Sequence, residues 1–354
     1  MKRRLAICDT EEKYSQKLCN YLEESEMFPF DVCMYTNVNT LADAIVKKKV
    51  DVVLINGKLL GDLSKIVACN DKSDMRLRCK SGDGTEECIG MLIVISEGEQ
   101  YQEKNIWKYR KASEIRKDIL RLYSETEDAT DGAGNSRGTD GYRKSKIIGV
   151  FSAGDVEVQN DAADRICKML CTDNKVLFLD LMPFNNLESG QDNGQMSDLS
   201  DLIYYSMNVD NGKLGIKLAE LVHSKDGFGY VSGMRSFMDF DSVNKEDWIG
   251  LIRGLVKIGE FDYILLNLSV CVRGLAEVLR CCDYAFFTQT DDEYNRLKMT
   301  VFKNNLMQTE YEDVVSKADT LEYGCVNDRN RGSICSREIG AKIADKIKKR
   351  MVCQ

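Results

Sequence analysis

Apolar residues in the first third of the chain fall in short runs at 5–8, 32–35, 50–55 and 89–95, rich in Val and Ile, with helix-period stretches between them. Short apolar runs alternating with amphipathic segments predict parallel strands joined by crossover helices. Residues 11–24 set Tyr14, Leu18, Tyr21 and Leu22 on an i, i+4, i+7, i+8 stripe and predict the first helix; 39–48 predict the second, with Asn39 as its N-cap. A polar stretch at 70–87, containing Gly82 and Gly84, interrupts the pattern and reads as a long exposed loop. Residues 124–144 hold scarcely an apolar side chain, cannot offset the entropy of ordering, and read as a flexible linker. Beyond them the alternation resumes, with strands predicted at 146–151, 175–181, 228–231, 263–268 and 284–290 and helices at 245–258 and 292–306. The expected fold is α/β, with two doubly wound parallel-sheet domains at 1–123 and 145–354 and no internal repeat.

The length of 354 residues suits two domains, and 43% hydrophobic content is enough for two cores. No run approaches the roughly 20 apolar residues of a membrane span. The opening stretch reaches Asp9 after four apolar positions, too few for a secretory leader, so a cytoplasmic location is expected. Fourteen cysteines are scattered without C-x-x-C spacing and read as reduced thiols rather than a disulfide or zinc framework. The formal charge of −8 argues against a nucleic-acid partner. The single histidine, His223, is expected near a helix C-terminus, where its cationic form is favoured; one histidine gives metal or triad chemistry little to stand on.

Where a strand ends in a loop and opens a helix, backbone N–H groups and the helix dipole converge on phosphates. Here that place is Ile147-Ile-Gly-Val-Phe-Ser-Ala-Gly-Asp-Val-Glu-Val-Gln-Asn. The strand, loop length and following helix resemble the MinD/ParA family, whose deviant Walker A motif reads K-G-G-x-G-K-T. Laid on that motif, Gly154 falls at the signature lysine, Asp155 and Val156 at two glycines, Glu157 at the variable position and Val158 at the third glycine. Gln159 stands at the phosphate lysine and Asn160 at the magnesium-binding Thr or Ser. Val and Asp cannot readily take the dihedrals that let glycines approach phosphate. At an effective dielectric of about 20, each new acid about 4 Å from a phosphate charge costs on the order of 4 kcal/mol. Two further segments carry the resemblance. Asp180 ends the second strand and is either the family's magnesium or switch acid or a plain strand-end turn residue. Asn267, in Asp262-Tyr-Ile-Leu-Leu-Asn, replaces the Walker B acid, and an amide supplies no charge to a magnesium shell. In Met234-Arg-Ser-Phe, Arg235 is either a partner contact or a solvated loop arginine.

The first domain resembles a response-regulator receiver. Asn56 stands at the phosphoryl-acceptor position, where an amide is no nucleophile toward phosphate. Asp9 is the clear member of the acid pair, followed by Thr10, Glu11 and Glu12; Ser96 and Lys108 fit the hydroxyl and lysine positions as fold markers.

The resemblance to the TadZ and CpaE branch of the MinD/ParA group implies a non-catalytic localisation protein. It would be a homodimer with protein partners in pilus or secretion machinery, with no cofactor expected. The alternative is an ATP-binding, magnesium-dependent ATPase of weak affinity with an unconventional loop. Residues 336–352 place Ile339, Ile343 and Ile347 on one helical face and Lys342, Lys346, Lys348, Lys349 and Arg350 on the other. Such a helix either docks on the domain or makes peripheral contact with the inner membrane face or cell pole.

Overall fold

The computed structural model describes residues 3–25, 27–47, 50–66, 76–80, 86–98, 105–124, 145–183, 198–207 and 211–323. The first elements are β1 (Arg3–Cys8), α1 (Glu12–Glu24), β2 (Phe30–Tyr35), α2 (Val38–Lys47), β3 (Val52–Asn56), α3 (Leu60–Ile66), β4 (Arg76–Lys80), β5 (Glu86–Ser96), β6 (Asn105–Trp107) and α4 (Ala112–Ser124). There follow β7 (Lys146–Phe151), α5 (Val156–Leu170), β8 (Val176–Leu181), α6 (Leu199–Met207), α7 (Asn211–Leu221), β9 (His223–Lys225), β10 (Phe228–Val231), α8 (Phe237–Ser242) and α9 (Lys245–Ile258). The last are β11 (Tyr263–Leu268), α10 (Leu275–Cys281), β12 (Tyr284–Thr290), α11 (Glu293–Met307), α12 (Glu312–Lys317) and β13 (Ala318–Tyr323). The chain divides into two compact units, one of Met1–Thr139 with Asp210–Glu220 and one of Asp140–Val209 with Leu221–Gln354. The segment 210–220 thus joins the first unit although it lies within the second domain of the sequence division.

The first unit is a sheet in the order β2-β1-β3-β5, all parallel, with β6 parallel and β4 antiparallel on the outer edge of β5. Alternate strand residues split to the two faces. Leu5, Ile7, Val52, Leu54 and Ile93 pack with Leu18 and Leu22 of α1 and Ile115 and Ile119 of α4; Ala6, Cys8, Val53 and Ile55 pack with Leu41 and Ile45 of α2. Helix α7 adds Ile216 and Ala219 to the first of these cores, and Arg116 of α4 donates to the Ala219 carbonyl. Two local expectations change. Asn37, not Asn39, caps α2, because its side chain accepts from Asn39 N at 2.7 Å. Part of the polar stretch 70–87 is not loop: Arg76–Lys80 pairs antiparallel with the start of β5, so cross-strand hydrogen bonds order a segment whose composition looks unstructured.

The second unit is a seven-stranded sheet in the order β13-β12-β7-β11-β8-β10-β9, parallel except for the β9–β10 hairpin. Strands β8 and β11 are buried at every residue, which is why they read as unbroken apolar runs. On one face α5 lays Ala162, Ala163, Ile166 and Cys167 over Ile148, Val150 and Leu265. On the other, Phe302 of α11 packs on Phe151 at 4.6 Å and Phe287 at 5.7 Å between ring centroids. Helix boundaries follow local chemistry: Asp247 reaches back to Asn244 N at the start of α9, Gly259 ends that helix at φ 70°, and Asp292 caps α11 through Asn295 N. His223 is not on a helix. It pairs with Tyr230 across a two-residue turn at Asp226 and Gly227, both at positive φ, and that turn fixes the strand register.

Candidate functional site

In the second unit, register brings the carboxyl ends of three strands together: Asn267 on β11 lies beside Asp180 on β8 and Val150 on β7. Between Phe151 and Val156 the chain has four residues, so α5 begins where a phosphate loop of the expected length would still be arching. Val156, Glu157 and Val158, which the sequence reading places in the loop, are therefore helical, and Gln159 and Asn160 follow in the same helix. Winding starts early because Asp155 is an N-cap whose carboxylate accepts from Val158 N at 3.0 Å. Ser152 Oγ accepts from Gly154 N at 3.3 Å and Asp155 N at 3.0 Å. A side chain at Gly154 would collide with the Asn295 amide, which α11 lays against the loop.

One turn into α5, Gln159 points back beneath the loop and is fully buried. Its Oε1 accepts from Ser152 N at 2.7 Å; its Nε2 lies 2.8 Å from Asn267 Oδ1, 2.8 Å from the Leu268 carbonyl and 3.1 Å from the Val150 carbonyl. Asn267 Nδ2 in turn donates to Asn160 Oδ1 at 2.8 Å and Asp180 Oδ1 at 3.1 Å. Two side-chain amides thus tie loop, helix and three strand ends into one network, with both the donor and acceptor ends of each amide used. Asp180 is 3% exposed, and the network joins it to the cluster instead of leaving it as an isolated turn residue.

In the first unit, β1, β3 and β6 place Asp9, Asn56 and Lys108 in contact, each almost wholly buried. Lys108 Nζ lies 2.9 Å from Asp9 Oδ2 and 3.0 Å from Glu11 Oε1. Asn56 Nδ2 donates to Asp9 Oδ2 at 3.1 Å, and Glu11 N donates to Asp9 Oδ1 at 2.9 Å. Both carboxylate oxygens are engaged. Burial works against the Lys108 charge, but the bonds and charges of Asp9 and Glu11 outweigh it and hold the ammonium above its ordinary range. Burial, then the Asp9 charge, pushes the Cys8 thiol up to about 11. Ser96 stands apart: its hydroxyl donates to the Gly98 carbonyl, and its own carbonyl accepts from Lys108 N at 2.8 Å. Glu97 forms an ion pair with Lys58 at 2.6 Å and extends the cluster. Among the described residues, no group of three His, Cys, Asp or Glu side chains is placed to hold a metal ion.

No protein-family model matches the sequence, and no curated protein matches it. Solved structures do resemble it. A ParA family ATPase from Chlorobium tepidum is 17% identical, aligned over 56% of this chain and 81% of that one with a TM-score of 0.42. A putative plasmid partition protein from Borrelia burgdorferi bound to AMPPNP is 14% identical over 58% and 99%, with a TM-score of 0.40. Cobyrinic acid a,c-diamide synthase from Mycobacterium smegmatis is 13% identical over 57% and 81%, with a TM-score of 0.38.

The sequence reading missed Ser152, Asn295 and the partnership of Gln159 with Asn267. An Asp before a helical stripe is a legible N-cap, so the early start of α5 had a signal. The Gln159–Asn267 bond spans 108 residues and had none. Arg235 is exposed, and its backbone N–H donates to Asp198 at 3.1 Å. The stretch 336–352 and the positions 125–144 of the linker lie outside the described residues, within which no helix is long and apolar enough to cross a membrane.

Proposed function

We propose that this chain is a non-catalytic binding protein of MinD/ParA type, built on a receiver-like unit and a P-loop-like unit whose phosphate chemistry has been replaced by internal hydrogen bonds. The observation that carries this is the N-terminus of α5. A helix N-terminus attracts an anion, and here the anion is the chain's own Asp155 carboxylate, while Gln159 fills the space below the loop. A magnesium-bound triphosphate does not fit that arrangement. It would have to displace Asp155 from the N–H of Val158 in the first turn of α5 and Ser152 from the loop N–H groups, and would meet two amides where the resembled family offers a lysine and an acid. In the first unit the Lys108 ammonium and the Asn56 amide occupy the Asp9 carboxylate, which supports a receiver-like unit that takes neither magnesium nor a phosphoryl group. With nothing to switch, such a protein acts by constitutive pairing, as a homodimer with protein partners; by family resemblance these belong to pilus or secretion machinery at the cytoplasmic side of the membrane.

Isothermal calorimetry with millimolar ATP and magnesium tests the proposal, the expected outcome being no measurable binding. A dissociation constant in the micromolar range would falsify it in favour of an ATPase with an unconventional loop. The double variant Gln159→Lys/Asn160→Thr is expected to stay silent as well, because Asp155 still holds the first turn of α5 and Ser152 the loop amides.

A further inference from the structure

We propose that the outer face of α11 is the docking site for the chain's own C-terminal segment, residues 336–352. Helix α11 has apolar side chains on two opposite sides. Met299 and Leu306 are buried, and Phe302 packs on the sheet. On the other side Tyr294, Leu297 and Val301, at i, i+3 and i+7, are half or more exposed, as is Met307 at the end of the helix. A helix on a protein surface carries one apolar stripe, and one that is apolar on both sides is covered on both.

Three observations single out the occupant. The chain leaves β13 at Tyr323, whose carbonyl accepts from Asp291 N at 3.0 Å, immediately before the Asp292 cap of α11. The dozen residues from there to 336 span up to ~40 Å when extended, against ~22 Å for a helix of this length, so the segment reaches any part of α11. In the sequence, Ile339, Ile343, Ile347 and Met351 recur every four residues, a single helical stripe comparable in length to that of α11. The charges are complementary: six bases against two acids in 336–352, and six acids against three bases along 291–313, with Asp291, Asp292 and Glu293 at the start of α11, Glu310, Glu312 and the Arg280-paired Asp313 beyond its end, and Arg296, Lys298 and Lys303 within it. The docked segment covers the apolar stripe and leaves its lysines over those acids.

Hydroxyl-radical footprinting of the full chain reads the cover directly. Tyr294, Leu297 and Met307 are expected to oxidise several-fold more slowly in the wild type than in Ile343→Asp/Ile347→Asp, equally at low and high protein concentration and with or without anionic phosphatidylglycerol vesicles. Equal rates in wild type and variant overturn the proposal. So does protection that falls on dilution, which assigns the face to a second copy, or loss of protection when vesicles are added, which assigns the segment to a lipid surface. Zero-length carbodiimide coupling in the wild type needs no variant to fold. It is expected to join lysines of 342–349 to acids of 291–293 or 310–313 within one monomer, and failure to find such a pair also overturns the proposal.

Discussion

Gln159 and Lys108 show how much a single buried polar side chain decides here. Neither can be exchanged for an apolar residue of similar size without stranding its partners. Gln159→Leu removes the acceptor for Ser152 N and the donor to Asn267 Oδ1. Unsatisfied buried groups cost about 1–3 kcal/mol each, so with two partners stranded urea denaturation should show a loss of about 2–6 kcal/mol. Lys108→Met leaves Asp9 buried with one charge unpaired, and breaking a buried pair on one side costs about 3–5 kcal/mol. Adding Asp9→Asn to that variant removes the stranded charge and should restore part of the loss, an outcome a purely packing role for Lys108 does not produce. Gly154, Asp155 and Asn267 could be singled out from the sequence because the resembled motif assigns those positions a role. Their actual partners were invisible, because hydrogen bonds between distant strands leave no periodic trace.

Helices and strands were legible where one physical signal dominates. The apolar runs of β7, β10, β11 and β12 and the capped, glycine-terminated α9 lie where the pattern puts them. The β9–β10 hairpin escaped notice although Asp226-Gly227 is a strong turn signal; its flanking strands are only three and four residues long, too short for alternation to register. Helix α7 is the clearest case of an element whose position tertiary packing settles. Its sequence is an ordinary apolar helix, yet Ile216 and Ala219 pack in the core of the first unit. Ile216→Asp should therefore destabilise the first unit, by about 3 kcal/mol or more for an unpaired buried carboxyl. The two tryptophans separate the units, Trp107 on β6 and Trp248 on α9. In a Trp248→Phe background, urea unfolding followed by Trp107 emission should shift to lower denaturant; an unchanged midpoint would show that α7 is dispensable to that core.

At the scale of the whole molecule, buried thiols in both units set a common alkaline limit. Burial raises Cys8 to about 11 and Cys282 to about 12 from an ordinary 9.0, with Asp9 adding to the first and Lys317 opposing the second. A group whose folded pKa is raised contributes stability that is complete below its unfolded value and is lost as pH climbs through the folded one. Urea midpoints should therefore hold steady up to about pH 9 and fall between about 9 and 12, and Cys8→Ala should flatten the decline in the first unit. Exposed Cys271 should react with a thiol reagent at pH 8 while Cys8 and Cys282 do not. The sequence by itself determined the class of this molecule, two largely parallel α/β sheets, and where most of their strands lie along the chain. Those follow from hydrophobic period and local caps, which are written within a few residues of where they act. Only the tertiary structure decided that Gln159 and Asn267 bridge the strand ends and that α7 serves the first unit. Each of these depends on groups far apart in the chain meeting in a dry interior, where an unmet hydrogen bond or an uncovered apolar face is costly enough to select the partner.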